Sequence, residues 1–109
     1  MFLLSSVSKI NNSKLYFSRI ELNKILSCYS IGVSKGKWKD YAIFFGKQKT
    51  SFYMFKHTFV SPDCILTKSK KIKKNIILFD LKLSNYSKLN FTKIDDIIAH
   101  INRNEFKVI

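Results

Sequence analysis

One helix start is the strongest local constraint on how this chain folds. Its sequence, SRIE, has the form of a capping box, in which the Ser18 hydroxyl accepts one free helical N–H and the Glu21 carboxylate accepts another. Apolar side chains then recur at helical spacing, at Leu22, Ile25, Leu26, Tyr29 and Val33. We predict a helix over residues 19–34 that buries this stripe and ends at Gly32 or Gly36 in a left-handed conformation.

Short apolar segments separated by turn residues follow this helix. Their aromatic and β-branched side chains suit a pleated sheet that packs on at least one face. We predict four strands, at residues 40–46, 50–60, 64–68 and 75–83, with Leu15–Phe17 as a candidate for one more short strand. Turn signals lie at Gly46–Lys49, at Pro62–Asp63 and at residues 85–87. Strands joined by such short connections form an antiparallel sheet.

A second amphipathic helix closes the pattern. Thr92 is suited to cap its start, and Asp95 and Asp96 fall in its first turn, where the helix dipole favours acidic side chains. Its apolar stripe consists of Ile94, Ile97, Ile98 and Ile101. The order predicts an α+β fold, a two-layer sandwich in which an N-terminal helix and a C-terminal helix cover one face of a four-stranded antiparallel sheet.

A chain of 109 residues fits a single domain, and 46% apolar and 15% aromatic residues are enough for a hydrophobic core. Residues 1–14 are rich in serine and asparagine and lack periodicity, so we predict a flexible N-terminal tail there and one compact domain over residues 15–109. No apolar run approaches the roughly 20 residues that a membrane span needs, and the N-terminus does not resemble a signal peptide. We therefore expect a cytoplasmic protein without membrane contact.

The chain is strongly basic, with a formal net charge of +13 from 20 basic and seven acidic residues. Residues 68–75, KSKKIKKN, contain five lysines in eight positions. Eighteen of the 20 basic residues are lysine, and isoleucine, asparagine and phenylalanine are also abundant. A/T-rich codon usage explains why the basic residues are lysines rather than arginines, but it does not explain why acidic residues are so few.

The lysine-rich segment has two interpretations. As a functional element it contacts nucleic-acid phosphates, which requires only positive charge on one face. The main contacts would be Lys68, Lys70, Lys71, Lys73 and Lys74, with Lys35, Lys37 and Lys39 as secondary contacts. As a structural element it is a solvated loop between two strands, where lysine also discourages edge-to-edge pairing. We prefer the first interpretation.

Aromatic residues support an alternative function. In an extended segment Trp38 points away from its neighbouring lysines, so we predict that it packs in the core rather than stacking on bases. In the second strand Phe52 and Met54 share one face, and Tyr53 and Phe55 share the other. If helices cover one face, the other pair is available to a partner. The alternative is therefore a protein-interaction module whose aromatic sheet face forms a homodimer or binds an acidic protein.

Two segments resemble a known family. FSRIELNKILSCYS at residues 17–30 and GKWKDYAIFF at residues 36–45 carry the resemblance, and SFYMFK and KSKKI follow the same pattern more loosely. On these residues the chain resembles the bacterial family called domain of unknown function 2794, over roughly residues 17–101. The resemblance implies a bacterial origin and a compact domain, but no activity and no catalytic residues.

Residues that commonly take part in catalysis or bind metals are sparse in this sequence. His57 and His100 have no assignable partner, and Asp95 and Asp96 diverge on their helix. The only cysteines, Cys28 and Cys64, are far apart and form no metal-ligand pair, so we expect free, packed thiols and no metal. The glycines form no phosphate-binding cluster. We predict a protein that is not an enzyme and has no cofactor, and a small enzyme of unknown reaction is the third alternative.

Overall fold

The computed structural model describes residues 14–57, 61–84 and 88–105. Its elements are α1 (Arg19–Ser34), β1 (Asp40–Phe45), β2 (Lys49–Phe55), β3 (Cys64–Lys71), β4 (Ile76–Leu83), β5 (Leu89–Phe91) and α2 (Ile94–Glu105). The strands form one antiparallel sheet in the order β1-β2-β3-β4-β5, so each strand pairs with its neighbour in sequence. The predicted α+β fold, with a helix before and after an antiparallel sheet, is confirmed.

Four details of the strand prediction were wrong. The sheet has a fifth strand, because the three residues of β5 pair with β4. The third strand does not end at Lys68 but continues to Lys71, since its backbone pairs with β4 as far as Ile76. Leu15–Phe17 is not a strand, although the Leu15 N–H donates to the Gly46 carbonyl at 2.7 Å. The second strand ends at Phe55, and residues 56–57 beyond it form a bend. Residues 1–13, the end of the predicted second strand at 58–60, the turn at 85–87 and residues 106–109 lie outside the described residues.

The predicted start and end of α1 are confirmed. The Glu21 N–H donates to Ser18 Oγ at 3.1 Å, and the Ser18 N–H donates to Glu21 Oε1 at 2.8 Å, which completes the capping box. The helix spans residues 19–34, and Gly36 follows it with a φ of 76°, the left-handed conformation that glycine adopts without strain. Gly32 lies inside the helix instead of ending it.

Four of the five residues of the predicted α1 stripe pack in or against the core, namely Leu22, Ile25, Leu26 and Tyr29. Ile25, Cys28 and Gly32 are buried, whereas Val33 at the end of the predicted stripe is exposed. Trp38 is buried beside Gly32. A glycine at this position lets the indole ring lie directly against the helix backbone. The prediction that Trp38 belongs to the core is confirmed.

The core lies between the two helices and one face of the sheet. Alternate residues of the central strands point into it, and its fully buried sheet members are Phe52, Met54, Cys64, Leu66 and Leu81. From α2 it takes the predicted stripe, of which Ile94, Ile97 and Ile101 are buried and Ile98 is half-buried. The helix begins at Ile94, so Lys93 rather than Thr92 directly precedes it, while Asp95 and Asp96 lie in its first turn as predicted.

Replacing Gly32 by alanine tests the contact with Trp38. An alanine Cβ at this position would lie 2.2 Å from Trp38 Cδ1 and 2.3 Å from Trp38 Nε1. Alanine normally stabilises a helix interior by about 1 kcal/mol over glycine. Here we expect Gly32→Ala to lower the free energy of unfolding by about 1–3 kcal/mol, because the ring must move. Urea unfolding followed by circular dichroism measures this, with Ser30→Ala on the exposed side of α1 as the control. A more stable Gly32→Ala protein would contradict the packing described here.

Candidate functional site

Two hairpin ends meet at one end of the sheet. The β1–β2 turn closes with a hydrogen bond from the Gly46 N–H to the Lys49 carbonyl at 2.8 Å. The β3–β4 hairpin extends beside it, and the Lys70 N–H donates to the Gln48 carbonyl at 2.9 Å. The β3–β4 turn itself is short and hydrogen-bonded, with Asn75 at a positive φ of 52°, which asparagine tolerates better than most residues. The lysine-rich segment is therefore mostly β3 and a tight turn rather than the predicted loop.

A groove of about 700 Å³ lies between these two hairpin ends. Five of its ten lining residues are lysines, namely Lys49, Lys70, Lys71, Lys73 and Lys74. The apolar part of the lining is Ile72, Ile76 and Leu78, and both Ile72 and Ile76 are exposed. None of the five lysines forms an ion pair within the described part of the chain. We call this feature the lysine groove. Four of its lysines were predicted contacts, and Lys49 joins them from the neighbouring hairpin.

Lys68 does not belong to the lysine groove, which corrects one of the predicted contacts. It lies on the core face of β3 and is 8% exposed. Its ammonium donates to Glu21 Oε1 at 2.8 Å and to the Tyr16 carbonyl at 2.9 Å. Strand alternation explains the difference, since Lys68 points toward the core side with Leu66 while the hairpin beyond it is solvated. Lys68 is a structural residue that fastens the start of α1 to the sheet.

The secondary lysines lie at the opposite end of the sheet. Lys35, Lys37 and Lys39 belong to the connection from α1 to β1, where the Lys37 N–H donates to the Gly32 carbonyl at 2.7 Å and the Lys39 N–H donates to Phe55 at 2.8 Å. Phe55 ends the seven-residue strand β2, whereas Lys49 begins it. At a strand rise of ~3.3 Å per residue, the two ends are ~20 Å apart. The two predicted lysine groups therefore form separate patches.

The predicted aromatic pair is divided between two environments. Tyr53 is half-buried on the sheet face that the helices leave uncovered, next to Ile65 and the exposed ring of Phe44. Phe55, in contrast, is 7% exposed, so little of its side chain is available to a partner. Phe52 and Met54 occupy the opposite face, in the core. Strand alternation predicted which residues share a face, but not that Phe55 would be covered.

A shallow hollow of about 320 Å³ on the uncovered face contains one acid among lysines. Burial raises the pKa of the Asp80 carboxyl, while the positive charges of Lys88, Lys49 and Lys71 act in the opposite direction. Beside it, the Ser51 and Thr67 hydroxyls form a hydrogen bond of 3.0 Å. Two of these lysines, Lys49 and Lys71, also line the lysine groove, so the Asp80 carboxyl interacts with charges of the groove.

A second hollow of about 320 Å³ lies between the two helices. Cys28 is at its base, with its thiol 3.8 Å from Asn102 Oδ1. Burial raises the pKa of this thiol to about 11. Both cysteines are free and buried, as predicted. Within residues 14–57, 61–84 and 88–105, no group of three or more His, Cys, Asp or Glu residues is placed to hold a metal ion. No helix in the same ranges is long and apolar enough to span a membrane.

The sequence matches the family described as Protein of unknown function (DUF2794) over residues 15–86, about two thirds of the chain. The chain belongs to this family. The matched region runs from α1 to beyond β4, so the DUF2794 part of the chain contains the capping box, Lys68 and the lysine groove. Comparisons with curated proteins and with solved structures found no match.

Replacing Lys68 tests its structural role. Lys68→Met leaves the Glu21 carboxylate and the Tyr16 carbonyl without their ammonium partner, in a site where only 20% of the glutamate side chain is exposed. We expect the free energy of unfolding to fall by about 2–4 kcal/mol. Lys71→Met, an exposed lysine on the same strand, is the control and should change it by no more than ~0.5 kcal/mol.

A double-mutant cycle with Glu21→Gln separates the ion pair from the packing of the lysine stem. The Lys68→Met and Glu21→Gln changes should be non-additive by about 1 kcal/mol or more, because each removes the same contact. Additive effects would mean that the two side chains stabilise the fold independently.

Cys28 should react slowly with alkylating reagents. At pH 8, a thiol with a pKa of about 11 has roughly a hundredfold less thiolate than one with the ordinary value near 9, and the thiolate is the reactive form. Peptide mapping after timed treatment with iodoacetamide measures the rate in the folded protein. The same protein unfolded in urea is the control and should react at the ordinary rate. Equal rates would show that the Cys28 site opens readily.

Proposed function

We propose that the protein is a binding protein without catalytic activity, and that its lysine groove holds the phosphates of a nucleic acid. The observation that carries this proposal is the convergence of five lysines from two hairpins on one groove. An isolated lysine-rich segment is common on protein surfaces, but these lysines come from β2, β3 and the β3–β4 turn. Phosphate contacts require several cations on one surface, and each contact releases counterions from the nucleic acid.

The groove is already assembled before a ligand arrives. The hydrogen bond from Lys70 to Gln48 joins the two hairpins, and Lys68 fixes β3 to the start of α1 beneath them. A prearranged site avoids part of the entropy cost of ordering its side chains on binding. The charge outside the groove contributes as well, since removing five lysines from a chain of +13 still leaves +8. This remaining charge increases the rate of encounter with a polyanion.

Two matched triple variants test the proposal. Lys70, Lys71 and Lys73 are replaced by glutamine in one variant, and Lys35, Lys37 and Lys39 in the other, so both lose three charges. Binding is measured by fluorescence anisotropy with labelled duplex DNA, single-stranded DNA and RNA over a salt series. For the unmodified protein we expect micromolar or tighter binding near 0.15 M salt. The groove variant should lose roughly one unit of the log–log salt slope for each lost contact.

The variant at Lys35, Lys37 and Lys39 should bind more weakly, through its lower overall charge, but should keep most of the slope. Equal effects of the two variants would mean that net charge alone causes binding, which contradicts a role for the groove. The absence of binding near 0.15 M salt would contradict the proposal itself. Lys68 is left unchanged in both variants, because its loss would destabilise the fold and confuse the result.

A second candidate function is binding of an acidic protein on the uncovered sheet face. The supporting observation is the grouping of Tyr53, Phe44 and Ile65 with Lys49, Lys82 and Lys88 around one hollow. Such a surface combines apolar contact with positive charge, which suits a partner with acidic residues around an apolar centre. Tyr53→Ser should abolish binding of this kind and leave nucleic-acid binding unchanged, whereas the groove variant should do the reverse. Phe55 is not replaced, because it is buried.

A further inference from the structure

The two edges of the sheet differ in length and in cover. At one edge, β5 has only three residues and is packed by α2. At the other edge, β1 has six residues and no neighbouring strand within the described residues. An exposed edge of this length presents unpaired backbone groups that another strand can join. Short strands, prolines and lysines are the usual ways in which proteins prevent such pairing.

The pairing of β1 with β2 shows which backbone groups face outward. The hydrogen bond from the Gly46 N–H to Lys49 closes the hairpin. In an antiparallel pair the hydrogen-bonded positions alternate, so Phe44 and Ala42 also exchange hydrogen bonds with β2. The N–H and C=O groups of Tyr41, Ile43 and Phe45 therefore point away from the sheet.

The sequence of β1 has none of the usual protection. DYAIFF contains no lysine and no proline. Its aromatic side chains are partly exposed on both faces, with Tyr41 at 43%, Phe44 at 58% and Phe45 at 36%. The segment before α1 reaches the end of the strand, where the Tyr16 ring lies 5.0 Å from the Phe45 ring. Within the described ranges, no residue forms a backbone hydrogen bond with the outward groups of Tyr41 and Ile43.

We propose that β1 pairs with β1 of a second copy of this chain, antiparallel and centred on Ile43. In this register Ile43 lies opposite Ile43 of the second copy, and Tyr41 lies opposite Phe45 of the second copy. The two sheets become one continuous sheet of ten strands. Exposed aromatic rings from both copies then adjoin each other above and below the new strand pair, where such pairs stabilise a sheet.

Charge favours a second copy at this edge over other surfaces. Two chains of +13 repel each other, but residues 40–46 contain no basic residue and one acid, Asp40. Lys47 follows at the other end of the strand. In this register Asp40 of each copy lies opposite Gly46 of the other, and Lys39 lies opposite Lys47, so each end of the interface has one acid beside two lysines. Neither Asp40 nor Lys47 forms an ion pair within the described part of its own chain.

The exposed area indicates a weak dimer. An aromatic side chain buries roughly 150–250 Å², so the exposed parts of three rings per copy amount to on the order of 500 Å² for the pair. A stable interface buries about 1,200–2,000 Å² in total. Backbone pairing must contribute the remainder, and we expect a dissociation constant of about 10 μM or weaker. The dimer should therefore form and dissociate with concentration.

Ile43→Pro and Ile43→Ala form a matched pair for testing this. Both remove the same side chain, but only proline removes the outward N–H, and neither removes a hydrogen bond between β1 and β2. Sedimentation velocity from about 1 to about 300 μM protein measures the mass, and circular dichroism verifies folding. We expect Ile43→Ala to dimerise within about threefold of the unmodified protein and Ile43→Pro to weaken the dimer at least tenfold. Phe44→Lys, at an exposed position, should weaken it similarly without affecting the core.

Salt distinguishes this interface from the lysine groove. Raising salt from about 0.05 to about 0.5 M should strengthen the dimer, because it screens the repulsion between the two positive chains, whereas it should weaken binding to a polyanion. A protein that stays monomeric at every concentration overturns the proposal. If the Tyr41 and Ile43 amides of that monomer are slow to exchange, the chain's own residues cover the edge. A dimer that Ile43→Pro leaves intact also overturns it, since it must use another surface.

Discussion

The ammonium group of Lys68 is the contact on which the arrangement of this protein depends. It joins three parts of the chain, namely β3, the segment that carries Tyr16, and the first turn of α1. Glu21 has two roles there, because the same oxygen that accepts from Lys68 completes the capping box. A helix start is normally a local feature. Here it is also a point at which the helix is attached to the sheet, through the ion pair between Lys68 and Glu21.

The lysines of strand β3 have two different roles. Lys68 is covered by α1 and the segment before it, and its charge is used inside the protein. Lys70 and Lys71 lie beyond that cover, and their charges face solvent in the lysine groove. A buried lysine requires a paired acid, which Glu21 supplies, whereas solvated lysines require none. The lysine groove therefore adjoins a part of β3 in which the charge of Lys68 is neutralised by Glu21. This ion pair attaches β3 to the start of α1, next to the groove.

Much of the fold was predictable because the relevant signals are local. The capping box gave α1 its start, and the alternating strands assigned Phe52 and Met54 to one face. The end of β3 was missed because KSKK has the composition of a loop, and only its pairing with β4 makes it a strand. Lys68 was predicted to be solvated because its partner, Glu21, is 47 positions away in sequence, so no local pattern indicates the pair. Lys49 lines the lysine groove because the β1–β2 hairpin end lies beside the β3–β4 hairpin. Sequence periodicity does not show which hairpin ends lie side by side.

The lysine groove makes the stability of this protein depend on what is dissolved around it. Five ammonium groups held near one another repel, and within the described residues no acid pairs with them. Four of them lie within residues 70–74 and are close together in the unfolded chain as well, so the repulsion that folding adds is mainly that between Lys49 and this group. Under the proposed function, a multivalent anion bound in the groove would offset this repulsion and would stabilise the folded form, in which all five lysines line one groove. Folding and anion concentration would then be linked, and the protein would be less stable in dilute buffer than in the presence of such an anion.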